Sequence, residues 1–504
     1  MNALYSCCIV DPWLDVAKNL YKKNKIKPVY WIGWNENNEE QLIANIFSDI
    51  IFHEIVDAWR GIFPEQVNDN YYLSNKIISE NVSHELLAIK MMDRLDSDRK
   101  SFNFIERQRF YRNLVKNWIN VVNQYEVDVV ISPSIPHRVF DYALYVVCQY
   151  YNIKFISIKM TSIKDLIVFT KNIFNMPGEI EAEYNKTKKS NTLISLTQDI
   201  DITIDKIKGD YRNAEPGYMK KQKETLFNNT ILSRVKKHIN NPYIIIKRFF
   251  ELKNASRTYL KEYNKSPENS QLSNYQVRVL KKRGRKYKSC LKDYYESLCV
   301  PFDKDKKNIF LALHYQPEET SCPSGGIFHD QILMAELLAK AIPTDWIVYV
   351  KEHKSQFHPL MEGETSRDKY FYDTLSTINK VRLISINVNP FSVIDNAVAV
   401  ATMTGTIGWE SILRGKPVFV FGNAWYRQCE GAFYINNEDD LKNAIGKTEN
   451  GYSINEHFVK CFIKACTKVG VFAYHYKGRK EISNISHYGS VGSLARGIIS
   501  CCSS

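Results

Sequence analysis

The sequence predicts an α/β protein made of two doubly wound parallel units, and three observations lead there. Short apolar strands alternate with helix-patterned segments over residues 1–175, and again over 305–450. Between them, over 176–304, Lys, Asn, Glu and Tyr dominate and apolar runs are short. In the second unit, strands run straight into loops of small, hydroxyl or ionisable residues, as in sheets that bind ligands outside their carboxyl ends. The expected architecture is two Rossmann-like domains facing a cleft, with a helical, charged and basic middle insertion. A helical tail, 451–504, is expected to pack back on the first domain.

The elements follow in order. Residues 4–10 read as a strand, 12–23 as a helix and 28–33 (PVYWIG) as a second strand. A charged helical region fills 80–126, and 127–132 (VDVVIS) reads as a buried strand. Apolar positions at helical spacing cover 138–151, and the next strand covers 153–158. In the middle region, 231–262 has the pattern of basic amphipathic helices around Pro242, suited to a membrane surface or to packing on the protein itself. The second unit has strands at 309–313, 346–350, 381–384, 398–403 and 417–421. Its helices fall at 326–341, 367–379, 389–397 and 407–414.

Composition bounds the class. The 504 residues suffice for two or three domains with full cores. Net charge is +13, and the run from Arg278 to Lys288 holds seven bases and no acid. Such a stripe suits an anionic membrane, an acidic substrate or nucleic acid, or is a solvated helix face. Eleven cysteines without CxxC or metal-ligand spacing read as reduced thiols in a cytoplasmic protein. No signal peptide is evident at the start, and no apolar run reaches the roughly 18 residues of a bilayer span. Walker, GxGxxG, GxSxG and HExxH motifs are absent, which argues against P-loop, dinucleotide, serine-hydrolase and zincin chemistry.

The chemistry concentrates at strand ends. The strand at 398–403 opens through Thr404, Gly405 and Thr406 into a helix, whose first-turn N–H groups and dipole favour an anion. The strand at 346–350 leads into Lys351, Glu352 and His353, and a period of two puts Lys351 and His353 on one face. The strand at 309–313 leads into His314, Tyr315, Gln316 and Glu318. Converging on one spot, these loops would hold a phosphodiester or diphosphate. Glu410, four residues after Thr406, is placed to accept hydrogen bonds from ribose hydroxyls or simply to favour the helix dipole. In the first unit, His137 and Asp141 stand four apart. On one helical face they would form an oriented histidine or a general base.

The stretch TMTGTIGWESILRGKPVFVFG with Asn423 to Tyr426, together with VYVKEHKSQ, LALHYQPEETSCPSGG and IPHRVFDYALY, resembles the bacterial capsule polysaccharide biosynthesis family, which includes Kdo transferases. The resemblance implies a GT-B architecture and a nucleotide-activated sugar donor, such as a CMP- or UDP-sugar, in the C-terminal domain. Lys351, His353, Thr404, Gly405 and Thr406 would then meet the donor's phosphate and Glu410 its ribose, with Gln316 and Tyr426 completing the nucleotide-sugar site. Relatives place Pro after the histidine, whereas here Lys354 follows His353 and a His-Pro occurs at His358. Asp141, His137 and Glu318 are the candidate catalytic bases.

The resulting expectation is a metal-independent glycosyltransferase of capsule or surface polysaccharide synthesis that needs no cofactor. It would transfer a sugar, Kdo among the candidates, to a lipid-linked or growing glycan. The expected location is the cytoplasm or the inner face of the cytoplasmic membrane, with capsule-assembly proteins as partners and no nucleic acid. A sugar-nucleotide epimerase of the same fold and a non-catalytic assembly or export partner are the alternatives.

Overall fold

The structure, a computed structural model, describes residues 1–35, 38–96, 102–190, 194–211 and 274–503. The first sheet contains β1 (Asn2–Ser6), β2 (Lys27–Gly33), β3 (Ile51–Glu54), β4 (Val129–Ser132), β5 (Lys154–Met160) and β6 (Leu166–Thr170). The second contains β7 (Asn308–Ala312), β8 (Ile347–Lys351), β9 (Val381–Ile384), β10 (Ala399–Thr402), β11 (Val418–Val420) and β12 (Ala432–Tyr434). A last strand, β13 (Val471–Phe472), returns to the first sheet. The strand orders are β13-β6-β5-β4-β1-β2-β3 and β12-β11-β10-β7-β8-β9.

Every pairing in the second sheet is parallel. In the first, β5–β6 and β6–β13 are antiparallel and the rest parallel. Both sheets start at a central strand, wind outward to one side, and resume on the other side of that strand. The reversal between β1 and β4, and again between β7 and β10, opens a crevice at the carboxyl ends. Two Rossmann-like units of the expected class therefore form the molecule. Helices cover both faces, so the strands read as continuous apolar runs: β4, β7 and β10 are buried throughout.

Local boundaries differ from the sequence reading for backbone reasons. The first strand stops at Ser6 because Cys7 takes φ 60, and the helix begins at Val10. The helix expected from 138 begins only at Phe140, since Val139 sits at φ 66. The residues up to 304 are also not all linker. Helix Asn274–Leu298 buries Leu291 and Tyr295 in the second unit's core.

That helix carries the basic run. Lys281, Lys282, Arg283, Arg285 and Lys286 are exposed, whereas Gly284 and Lys288 face inward. Lys288 pairs with Glu364 at 2.9 Å and donates to the Met361 carbonyl. The expectation of amphipathic helices over 231–262 lies outside the described residues.

The end of the chain ties the units together. Helix Glu456–Val469 packs on helix Gly178–Lys189, with Phe462 against Tyr184 and Trp425. Helix His487–Ser503 packs on helix Val10–Asn24, and His487 Nε2 meets Asp15 at 2.9 Å. Across the junction Asn423 donates to the Ile173 carbonyl at 2.6 Å and Arg427 to that of Phe174 at 3.0 Å. Among the described residues no helix is long and apolar enough to cross a membrane.

Candidate active site

The crevice of the second sheet holds a cleft of about 270 Å³. Leu313, His314, Tyr315, Glu318 and Thr320 line it from the loop after β7, and Lys351, His353, Lys354 and Ser355 from the loop after β8. Thr404, Gly405, Thr406, Ile407 and Glu410 form the wall that continues β10. The three strand-end loops therefore meet, because β8, β7 and β10 are consecutive neighbours in a parallel sheet.

The β10 wall is built for close approach. Helix Thr406–Leu413 starts at Gly405, whose extended backbone leaves the first-turn N–H groups directed outward. A Cβ on Gly405 would sit 2.9 Å from Thr402 Oγ1 and 3.3 Å from the His314 ring, so only glycine fits unstrained. Behind the turn, Tyr426 donates its hydroxyl to the Gly405 carbonyl at 2.5 Å. Gly408 leaves room for that hydroxyl, since a Cβ there would lie 2.1 Å from it. Tyr426 is thus a buttress of the turn and not a cleft-lining residue, which corrects its place among the nucleotide-sugar contacts.

His314 links β7 to this turn. Thr404 N–H donates to its Nε2 at 3.1 Å, so the neutral ring carries its proton on Nδ1. That Nδ1 is buried and has no hydrogen-bond partner among the described residues. Burial, with His353 and Arg367 nearby, lowers the His314 pKa to about 3. His353 is similar: Ser355 N–H donates to its Nδ1 at 3.1 Å, and burial with Lys351 and Lys354 lowers it to about 4. Both rings are therefore neutral at pH 7 and act through hydrogen bonding, not charge.

The buried cation of the cleft is Lys351. Burial, reinforced by Lys354 and opposed by Glu352 and Glu296, lowers its amine to about 8. Glu410 is pushed up to about 7 by burial, with Arg414 pulling it back. Neither side chain makes a hydrogen bond or ion pair among the described residues. A desolvated amine and carboxyl left without partners in a cleft are costly unless a ligand completes them.

Behind the loops lies a buried network that sequence reasoning missed. Arg367 Nε and Glu352 Oε2 are 2.9 Å apart, with side chains 1% and 0% exposed. Arg367 also donates to the His314 carbonyl at 3.2 Å and to the Gln316 amide oxygen. Glu352 accepts from Tyr372 at 2.9 Å and from His353 N–H at 2.7 Å. One ion pair thus sets both the His314 and His353 loops.

Gln316 belongs to this network. Its amide donates to the His329 carbonyl at 2.8 Å, and its backbone exchanges hydrogen bonds with Gln356. It is therefore a structural residue, and His314, two positions earlier, takes the cleft. His358 also stands outside the lining, so the histidine after β8 is His353.

The candidate bases separate. Glu318 lines the cleft at its solvent-open rim and accepts from Thr320 Oγ1 at 2.9 Å, and desolvation by the surrounding walls raises its carboxyl. His137 and Asp141 lie at the other crevice, after β4, and do not pair with each other. His137 Nδ1 meets its own Ile135 carbonyl at 2.6 Å, while Asp141 accepts from Arg138 N–H at 2.6 Å and pairs with its guanidinium at 3.4 Å. The i,i+4 geometry needed a helix through 137, and the helix starts at Phe140. Asp141 is instead a fully buried brace for the loop.

Comparison with known proteins adds three findings. Residues 320–466 match the family model described as "Capsule polysaccharide biosynthesis protein". No curated protein matches the chain in sequence.

Solved structures that align include UDP-GlcNAc 2-epimerase from Neisseria meningitidis, bound to UDP-GlcNAc. It is 13% identical, over 100% of this chain and 99% of its own, with a TM-score of 0.23. The Thermosulfurimonas dismutans KpsC β-Kdo 2,7 transferase is 10% identical over 76% of this chain and 89% of its own, TM-score 0.31. A glycosyltransferase from Rickettsia africae is 14% identical over 99% and 96%, TM-score 0.23. At such scores these likenesses carry no functional weight. The matched span is a different matter, because it contains β8, β10, the helix Thr406–Leu413 and most of the cleft wall. Over residues 320–466, this chain is similar to the capsule polysaccharide biosynthesis family.

Proposed function

We propose that the protein is a glycosyltransferase of capsule or surface polysaccharide synthesis that takes its sugar from a nucleotide-activated donor. The observation that carries this reading is the meeting, in one cleft, of a helix N-terminus with Lys351 and Glu410, whose side chains make no hydrogen bond or ion pair among the described residues. Phosphate oxygens would accept from the first-turn N–H groups and from Lys351, and Glu410 would face the ribose. The family match over 320–466 supports the assignment to capsule synthesis.

In the transfer, the bond between the anomeric carbon and the leaving phosphate oxygen breaks as the acceptor hydroxyl attacks. Negative charge then grows on the phosphate. Lys351 and the helix N-terminus oppose that charge in a partly dry site, so the reaction proposed here needs no divalent metal. Glu318, at the open rim, is the residue placed to take the proton of an incoming hydroxyl. The acceptor is proposed to be a lipid-linked or growing glycan, with Kdo among the candidate sugars. Work at the inner face of the cytoplasmic membrane, beside other capsule-assembly proteins, follows from such an acceptor.

Thermal shift with CMP, UDP, GDP and their sugars tests the donor site, since a ligand that binds only the native state raises its apparent stability. Lys351→Met is expected to weaken the responding nucleotide about 10-fold or more, the value of a charge-assisted contact. Incubation of the responding sugar nucleotide without acceptor separates transfer from epimerisation, because an epimerase converts it alone. Neither binding nor turnover with any of these compounds would remove the proposal.

A further inference from the structure

One cleft-lining residue, Tyr211, comes neither from the second sheet with its strand-end loops nor from the family-matched span. Tyr211 follows helix Gln198–Lys208 and lines the cleft together with Pro390, Ile407 and Glu410. Its position is held from the second unit. Arg414 donates to the carbonyls of Ile207 at 2.7 Å and Gly209 at 3.0 Å, drawing that segment against helix Thr406–Leu413. The guanidinium is itself fixed by Asp395, at 2.7 and 2.5 Å, and lies 4.3 Å from the Phe391 ring centroid. Phe391 in turn meets the Tyr211 ring edge-on, centroids 5.2 Å apart and planes at 77°.

The cleft is thus polarised along the helix. Lys351 lines the cleft, and the helix starts at the Gly405–Thr406 turn. Glu410 stands four residues further on, about 6 Å along the axis at 1.5 Å per residue. Tyr211, Pro390 and Ile407 add flat or apolar lining without a charge. A ligand that satisfies these groups carries an anion for the turn and Lys351, hydroxyls for Glu410 and a flat apolar ring for Tyr211. That is the outline of a nucleoside phosphate.

We propose that Tyr211 is the base-stacking residue of this cleft, laid against the nucleobase while the phosphate occupies the Gly405–Thr406 turn. The inference rests on the nucleotide-sugar reading and adds to it a specificity element supplied by the middle of the chain. Every base has a π-face, so the contact adds affinity for the nucleoside and leaves the choice of base to other groups.

Titration calorimetry with UMP, CMP and inorganic pyrophosphate tests it. Stacking on an aromatic ring contributes about 1–3 kcal/mol per base, so Tyr211→Ala is expected to weaken whichever nucleotide binds by about 5- to 150-fold. Tyr211→Phe should stay within about twofold of wild type, and pyrophosphate, which probes only the anion end, should bind all three proteins alike. Nucleotide affinity unchanged in Tyr211→Ala overturns the proposal, as does an equal loss of nucleotide and pyrophosphate.

A second measurement needs no variant. Irradiation of wild type with 5-iodo-UMP or 5-iodo-CMP is expected to crosslink the peptide containing Tyr211, and crosslinks confined to other peptides, or none, contradict it. A wild type that binds no nucleotide at all refutes the donor reading itself, whereas normal binding with an indifferent Tyr211→Ala refutes only the role of Tyr211.

Discussion

Arg367→Met removes the guanidinium that holds two cleft loops while keeping similar bulk. The variant loses the 2.9 Å pair with Glu352, the donations to the His314 and Ser366 carbonyls at 3.2 and 3.1 Å, and the one to Gln316. It also leaves Glu352, whose side chain is 0% exposed, without its cation. Breaking a buried pair on one side costs about 3–5 kcal/mol, because the stranded charge keeps its desolvation penalty.

Hydrogen exchange followed by mass spectrometry reads this unit by unit, since protected amides exchange through local or sub-global opening. At about 1.4 kcal/mol per factor of ten, amides of β7 and β8 should exchange about 10²- to 10⁴-fold faster. Amides of β1, in the other sheet, serve as the internal control and should hardly change. Adding Glu352→Gln should return part of the loss, because the double variant no longer strands a charge. Acceleration below about tenfold in β7 and β8, or equal acceleration in β1, would refute the view of this pair as the brace of the second unit's loops.

Glu410→Gln is expected to stabilise the protein in a pH-dependent way. The carboxyl titrates near 7 folded and near 4.5 unfolded, so the folded state binds the extra proton and wild type loses stability as pH rises between those values. The variant's advantage, on the order of 3 kcal/mol above pH 7 and absent below 4.5, is readable from melts across pH, and a pH-independent difference would contradict it. Gly408→Ala drives a methyl group against the Tyr426 hydroxyl, 2.1 Å away in this backbone, and should cost about 1–3 kcal/mol as overpacking does. Adding Tyr426→Phe removes the clashing oxygen but leaves the ring carbon Cζ 2.7 Å from the new methyl, so it should recover only part of the stability, and no nucleotide affinity, because the hold on the Gly405 carbonyl is gone. A Gly408→Ala melt equal to that of wild type would refute this packing.

What could be read from sequence follows the range of the interactions involved. The strands at 309–313, 346–350 and 398–403, and the Thr404–Gly405–Thr406 turn, are legible because apolar runs and small-residue loops are local signals. Lys351 and His353 share the cleft because a strand's period of two is likewise local. The role of Gln316 is not local: its partners Gln356 and Arg367 lie 40 and 51 residues away, and no spacing rule exposes them. The loop sequence alone gave no way to prefer His314.

The His137–Asp141 dyad failed for a different reason. Helical periodicity in the sequence runs on past the true start of the helix, across a Val139 backbone that is not helical. Tyr211 was invisible because its segment is brought to the cleft by Arg414, 203 residues later in the sequence.

The most direct test of the donor cleft is hydrogen exchange of the wild-type protein with and without the nucleotide that raises its melting temperature. Bound nucleotide should slow exchange in peptides covering 313–320, 351–355 and 404–410, leaving the first sheet unchanged. Binding accompanied by protection around β4 and Asp141, with none at 404–410, would place the nucleotide in the other crevice and contradict the account.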